Sequence, residues 1–470
     1  MGGGVYMDLI IVVLLPLLLF GVYLLQILPQ FGVGMAVTTI NICLFCGIVD
    51  FKFVGEFHQS NMEDTRDRIS QLPEPILHHI LSFLLVKDAV RMSTLSKIWT
   101  SALNSLSYLD FGEDFFYGPQ DMRNLLKAVT QILVIRLKHK ISVEKFWLRL
   151  PYLRRRFYYV HRWIKLLVAC NVKEFDLSVG RRIYEGKQLH NKLPEVIFDA
   201  KALNVLNLVG FKIELPSHGT INLSSLRELH LRDVILDEKF IQALCVSCHN
   251  LEFLYLAWFK GLASFQVGEK NLPKLKKIKL ENCPSEFQMV DIAAISLEDL
   301  TIKSYWDLKF VKITACKALK SLFLNGVAVT DKWLEKLFFS LQNLEKFYLS
   351  CCNTLTTMKI SSIWLKQLIV FGCSNLVDAQ VYTPNLILFA FGCCSLPTLK
   401  LKASRSLKAN ISFDSLETPD SDWYNSKLTN FLGSFNHSLS IKLSSKKDEV
   451  CPANSLATLL QQDSRVIDFS

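Results

Sequence analysis

The sequence predicts an α+β repeat protein, a small three-helix unit followed by an α/β solenoid bent into a horseshoe. Three observations predict it. Apolar residues at positions 1, 4 and 6 of a repeating unit recur eleven times between residues 143 and 391. Residues 67–99, DRISQLPEPILHHILSFLLVKDAVRMSTLSKIW, carry helical periodicity instead. The first 60 residues differ from both, with long runs free of charge. The organisation read from these shifts is a hydrophobic leader over residues 1–60, the helical unit over 61–105, a linker or first cap over 106–142, the solenoid over 143–400, and closing repeats or a cap over 401–470.

In the leader, residues 9–28 are twenty residues without a charge, and residues 31–49 form a second uncharged run. Twenty apolar residues match a bilayer's thickness. The segment reads either as a membrane anchor, single or paired, or as an extension outside the working protein, with Met62 a natural start. A cleaved signal peptide fits worse, because no basic region leads the apolar run. The first basic residues are Lys52, Arg66 and Arg68, so an anchor would leave the remainder in the cytosol.

Composition narrows the function class. Half of the 470 residues are hydrophobic, which excludes a mostly disordered chain. The net charge of +10 is spread along the chain apart from short clusters at residues 154–156 and 274–279, so no dense nucleic-acid stripe exists. No phosphate loop, paired carboxylates at a site-like spacing, or serine–histidine–aspartate arrangement stands out. The chain is expected to be no enzyme and to need no metal or cofactor. The sequons at Asn222, Asn410 and Asn436 have meaning only in a secretory lumen.

In the helical unit, Ile76, Leu77, Ile80, Leu81 and Leu84 form the apolar stripe of an amphipathic helix. Pro73 and Pro75 fall at its first turn, where a missing N–H does little harm. His78 and His79 point about 100° apart on a helix and cannot share one ion, so both read as surface residues. Asp88 can cap a second short helix carrying Val90, and Leu95 and Trp99 supply a third apolar patch. Three short helices are too small to sustain a core, so another protein is expected to complete it.

The repeat begins with Val143, Phe146, Leu148 and Val172, Phe175, Leu177, and ends with Leu365, Leu368, Val370 and Leu386, Phe389, Phe391. Its successive starts lie 29, 31, 23, 25, 24, 22, 22, 25, 21 and 21 residues apart. Positions 4 and 6 alternate as in a strand facing a core, and the residues that follow return the chain by a helix or loop. One unit cannot bury its face, but a stack can. The pattern resembles the leucine-rich repeat over roughly residues 140–400. The ninth position, small in that motif, is filled by Cys283, Cys352, Cys373 and Cys394, which therefore read as structural. Cys245 and Cys248 begin a C-x-x-C-H string known from haem attachment. Yet Cys248 and Cys316 stand three residues before a repeat start, where an apolar residue is wanted and free cysteine serves. Such usage favours a reducing compartment. Cys43 and Cys46 lack a second pair to complete a zinc site.

Leu72-Pro73, residues 76–84, residues 87–91 and Leu95-Ser96-Lys97-x-Trp99 together resemble the F-box of plant F-box/leucine-rich-repeat proteins, and residues 161–177 resemble the junction ahead of their repeats. The resemblance implies a substrate receptor of an SCF-type ubiquitin ligase, docked on a Skp-type adaptor and through it on a cullin and a RING protein, in the nucleus or cytoplasm. It implies adaptor contacts at Leu72, Pro73, Ile76, Leu77, Ile80, Leu81, Leu84, Val90, Leu95 and Trp99. Pro75, Leu85 and Ile98 depart from the family pattern, and Ile98 removes a usual basic charge. A membrane-anchored repeat scaffold without a ligase role is the alternative reading.

Positions 3, 5 and 7 of each strand face out on the concave side. Phe253, Tyr255, Lys277, Lys279, Lys303, Phe323, Lys346, Tyr348 and Phe371 occupy them and are the candidate target-binding residues. Aromatic groups beside basic ones suit a protein or peptide of some acidic character. Residues 423–443 read as a helix and closing strand.

Overall fold

The computed structural model describes residues 37–43, 48–53, 72–82, 96–111, 119–150, 157–180, 182–184, 187–393, 396–413, 429–435, 440–445 and 466–469. The chain divides into two units, residues 1–71 and 72–470. Within the first, Val37–Cys43 and Ile48–Phe53 pair as antiparallel strands. Of the second uncharged run, residues 31–49, only 37–43 and 48–49 are among the described residues, and there the β-branched Val37, Thr38, Thr39, Ile40, Ile42 and Ile48 favour the extended backbone. Residues 9–28 lie outside the described residues. No helix among those described is long and apolar enough to cross a membrane.

The second unit opens with α1, Glu74–Ser82, and α2, Lys97–Ser105. The helix expected after Asp88 lies outside the described residues. A parallel sheet of fifteen strands follows, each paired with the next in chain order. Its strands are β1 Tyr108–Phe111, β2 Lys145–Leu150, β3 Glu174–Val179, β4 Val205–Val209, β5 Glu228–Arg232, β6 Phe253–Ala257, β7 Lys277–Cys283 and β8 Asp299–Leu308. It continues with β9 Ser321–Val327, β10 Lys346–Ser350, β11 Gln367–Phe371, β12 Leu388–Cys393, β13 Lys408–Phe413, β14 Ser440–Ser445 and β15 Val466–Phe469. The sheet thus starts ahead of the eleven sequence repeats and ends after them. Leu109 and Phe111 are the buried pair of its first strand.

All eleven sequence triads are buried, each residue at most 1% exposed. Alternation explains it: a parallel register brings position 4 of one strand beside position 4 of the next, so Leu254, Ile278, Leu300 and Leu322 form one internal row. At the N-terminal end the row becomes aromatic at Phe146 and Phe175, whose rings lie 5.8 Å apart, and Phe111 of the neighbouring row lies 5.6 Å from Phe146. Position 2 carries a second device. Glu144–Lys173, Glu252–Lys276, Glu298–Lys320 and Glu345–Lys366 bridge neighbouring repeats at 2.7–3.0 Å. Each exposed pair is worth little by itself. The alternation of sign disfavours a slip by one repeat, which would set like charges side by side.

The outer face follows repeat length. The repeats starting at Leu226 and Leu319, 25 residues each, return through α5, Glu238–Ser247, and α6, Asp331–Ser340, numbered after α3, Pro119–His139, and α4, Tyr158–Ala169. Asp237 and Thr330 cap α5 and α6 by accepting from the backbone N–H groups of Phe240 and Trp333. Repeats of 21, 22 and 24 residues return instead through short strands, in two parallel trios: Ser264–Val267, Met289–Ile292 and Phe310–Ile313, then Thr357–Ser361, Asp378–Tyr382 and Thr398–Lys402. Ten helical residues span about 15 Å, and four or five extended residues span about 13–17 Å. Both bridge the same outer distance, so the residue count selects the element.

In β8 the pairing jumps from Lys303–Asn325 to Leu308–Val327, and the intervening residues loop out with Tyr305 and Trp306 exposed. Gly326 makes room for that loop: its φ is +62°, and a Cβ there would strike the Ser304 carbonyl. Gly326→Ala is expected to lower stability by at least about 1–2 kcal/mol from the left-handed backbone alone, read as a lower Tm. Tryptophan fluorescence should shift as Trp306 moves.

The cysteines sit as a core needs them. Cys245, Cys248, Cys283, Cys316, Cys352 and Cys373 are all buried. Burial pushes the thiols of Cys245, Cys248 and Cys283 up to about 12, which keeps them protonated and unreactive. Cys352 and Cys373 donate to the carbonyls of Ser350 and Phe371, under the turn that ends each strand. Cys394 lies outside the described residues.

Candidate functional site

The helical unit closes on five buried residues, Leu77 and Leu81 from α1 with Trp99, Ala102 and Leu103 from α2. Leu72, Ile80 and Leu106 lean on its edge. Local chemistry sets both helices. The Pro73 carbonyl accepts from the N–H groups of Ile76 and Leu77, which starts α1, and Ser96 Oγ accepts from Trp99 N–H, which caps α2. The helices are clamped by a polar trio: Ser105 Oγ donates to Glu74 Oε1 at 2.6 Å, and His78 Nε2 lies 2.8 Å from the same hydroxyl. His78 is therefore a half-buried bridge between helices and not a plain surface residue, while His79 is exposed.

Three of the expected contact residues lie inside the unit. Leu77, Leu81 and Trp99 are 1–2% exposed and form the unit's own core. Among the described residues, the two helices bury their facing apolar residues against each other. Pro73 is exposed, Ile76 is half-buried, and Ile80 and Leu72 are half-buried at the core's edge. Leu84, Val90 and Leu95 lie outside the described residues. Ile98 is 47% exposed on α2, an apolar side chain in water where the family pattern has a charge.

Behind this unit stands Arg136, fully buried near the end of α3. Its Nη2 donates to the Leu103 carbonyl of α2 at 3.3 Å, tying the helical unit to the first turn of the solenoid. Its Nε and Nη1 have no hydrogen-bond partner among the described residues, and burial pulls the guanidinium down to about 10. The sequence offers no signal for it, since an arginine in the last turn of an amphipathic helix reads as solvated.

The concave face presents the nine expected residues, all half-buried or exposed at outward positions. Register brings them into rows. Tyr255 stands beside Lys279, Lys279 beside Thr301, Thr301 beside Phe323, and Phe323 beside Tyr348. Phe323 and Tyr348 stack at 5.2 Å with their planes 21° apart. Lys277 lies 5.4 Å above the Phe253 ring and 3.6 Å from Asp299. Lys303 lies 5.1 Å above Phe323 and 2.8 Å from Glu281. Burial pushes the Glu281 carboxyl up, but hydrogen bonds from Lys303 and Tyr255 outweigh it and hold it below the ordinary glutamate value. Phe371 stands apart at the rim, over Gly392, whose missing side chain gives the ring its place.

Toward the N-terminal end the same face turns polar, which sequence reasoning missed. Asp176 accepts from Asn207 Nδ2 at 3.0 Å, and burial raises its carboxyl despite that bond. Arg149 lies over the Trp147 ring at 5.2 Å, and His230 sits 3.2 Å from Glu228 with its ring edge-on to Phe253. Register between adjacent strands brings Asp176 beside Asn207, and the period of two along a strand sets Arg149 over Trp147 and His230 beside Glu228. On the convex side, α6 and the neighbouring strands line an apolar groove of about 690 Å³ that includes Phe339, Trp364 and Tyr382.

Comparison with known proteins covers most of the second unit. An F-box domain model matches residues 69–111. A model described as FBD-associated F-box protein At5g56370, LRR repeats, matches residues 160–318, and one described as At1g61320/AtMIF1, LRR domain, matches residues 308–450. Among similar proteins of Arabidopsis thaliana, the putative F-box/LRR-repeat protein At4g00320 is 26% identical over 338 residues, 66% of this chain and 64% of its own length. The F-box/FBD/LRR-repeat protein At1g13570 is 26% identical over 379 residues, 78% of this chain and 83% of its own length. The F-box/LRR-repeat protein At3g59200 is 35% identical over 148 residues, 31% of this chain and 27% of its own length. The chain thus spans less than two thirds of the first of these relatives and more than four fifths of the second.

Proposed function

We propose that this chain, which belongs to the plant F-box/leucine-rich-repeat proteins, is the substrate-recognition subunit of an SCF-type ubiquitin ligase. One observation carries the reading: a helical unit matching the F-box, with a five-residue core and an apolar flank, precedes a long solenoid with an open face. The flank formed by Leu72, Pro73, Ile76, Ile80 and Ile98 takes a Skp-type adaptor, which joins the chain to a cullin and a RING protein. The buried Leu77, Leu81 and Trp99 hold that flank in shape. The concave face takes the protein to be ubiquitinated. The chain itself performs no chemistry. It works in the nucleus or cytoplasm, where reducing conditions keep the buried thiols free.

Co-expression with a Skp-type adaptor tests this. A one-to-one complex should elute together in size-exclusion chromatography. Ile76→Asp should remove the adaptor while leaving circular dichroism unchanged, because the side chain lies on the flank and not in the core. A wild-type chain that fails to retain the adaptor sinks the proposal, and so does an Ile76→Asp chain that retains it fully.

A further inference from the structure

The middle of the concave face holds lysines of two kinds. Lys277 and Lys303 are matched within the fold, each beside a carboxylate and over an aromatic ring. Lys279 and Lys346 make no ion pair with any described residue, and Lys346 is exposed. They flank the stacked Phe323 and Tyr348. Lys279 is on β7, Phe323 on β9 and Tyr348 on β10, with Lys346 two residues before Tyr348. Three steps between strands at about 4.8 Å and two residues along a strand separate the two lysines by about 15 Å. An extended peptide covers that distance in four or five residues, at about 3.3 Å each.

We propose that this stretch binds an extended acidic segment of the target protein. Two of its carboxylates, four or five residues apart, meet Lys279 and Lys346, and an apolar or aromatic side chain between them lies on the Phe323–Tyr348 pair. The inference rests on the reading of the chain as a substrate receptor and names the class of segment received. Charge complementarity selects a peptide over a nucleic acid. A nucleic-acid strand carries a charge at every residue and would bring phosphates against the carboxylate of Asp299, which stands on β8 between the strands of the two lysines, in the Lys346 row. A peptide can leave that position neutral.

A random dodecapeptide library displayed on phage tests the proposal, selected against the full chain co-expressed with the adaptor and against its Lys279→Glu, Lys346→Glu double variant. The wild type should enrich sequences with Asp or Glu four or five residues apart around an apolar residue. These should bind the double variant roughly tenfold more weakly or worse, and weaken with salt. Enrichment of neutral or basic sequences, no enrichment, or equal binding to the double variant overturns the proposal. Adaptor retention is scored on the same preparation. Its loss overturns the receptor reading alone, because the peptide selection reads the concave face independently.

Discussion

Leu77→Ala is expected to destabilise the helical unit by about 2–5 kcal/mol, the usual cost of removing a fully buried leucine. Few other described contacts can absorb the loss, because among the described residues the core consists of Leu77, Leu81, Trp99, Ala102 and Leu103. The cavity would open between α1 and α2, leaving Leu81 and the Glu74–Ser105–His78 trio to link them among the described residues. The change should be local. Hydrogen exchange should accelerate across residues 72–106 while the strands of the solenoid keep their protection. Adaptor binding should fall with the unit and recover on cooling or at high adaptor concentration, since a partner that binds only the folded form restores it. Ile76→Asp behaves differently: binding is lost with protection intact. Equal protection in wild type and Leu77→Ala would contradict the core position of Leu77.

Arg136→Met is expected to stabilise the chain at neutral pH. The guanidinium is fully buried with one hydrogen bond to the described residues, and burial pulls its pKa from 12.5 to about 10. A gap of that size corresponds to a cost of about 3 kcal/mol for keeping the charge inside. The sign follows from proton counting. Between about 10 and 12.5 the unfolded chain binds more protons than the folded one, so wild-type stability rises with pH there, and the full cost stands at lower pH. Methionine keeps the volume and removes the charge, for an expected gain of about 1–3 kcal/mol after losing the bond to the Leu103 carbonyl. Thermal unfolding at pH 7 and pH 10.5 checks it. The variant should melt higher at pH 7, by a margin that narrows at pH 10.5. A lower Tm for Arg136→Met at pH 7 would contradict this account. Such an arginine, placed where α3 meets α2, favours a defined joint between the helical unit and the solenoid over maximal stability.

The concave strands were legible because a strand's side chains repeat every second residue and the parallel register copies that pattern from repeat to repeat. Leu254, Ile278 and Leu300 could be placed inside, and Tyr255, Lys279 and Phe323 outside, from spacing alone. The outer elements were legible only as a return path. Whether that path is α5 or the strand Ser264–Val267 depends on a difference of one residue between adjacent repeats, and local preference does not resolve it. In the helical unit the apolar stripe was visible, but a stripe does not say which of its edges meets the other helix. Leu77 and Ile76 are neighbours in sequence and differ in role for that reason.

By itself the sequence determined the two-part architecture, the eleven-fold repeat and the facing of its strands, because these follow from short-range periodicity that every repeat restates. Tertiary structure alone decided which lysines are ion-paired with described residues, which leucines of α1 are core, and where Arg136 goes. Each of those outcomes depends on groups 20 or more residues apart meeting through strand register or helix crossing. Periodicity along the chain carries the face a side chain takes; only packing carries its neighbours.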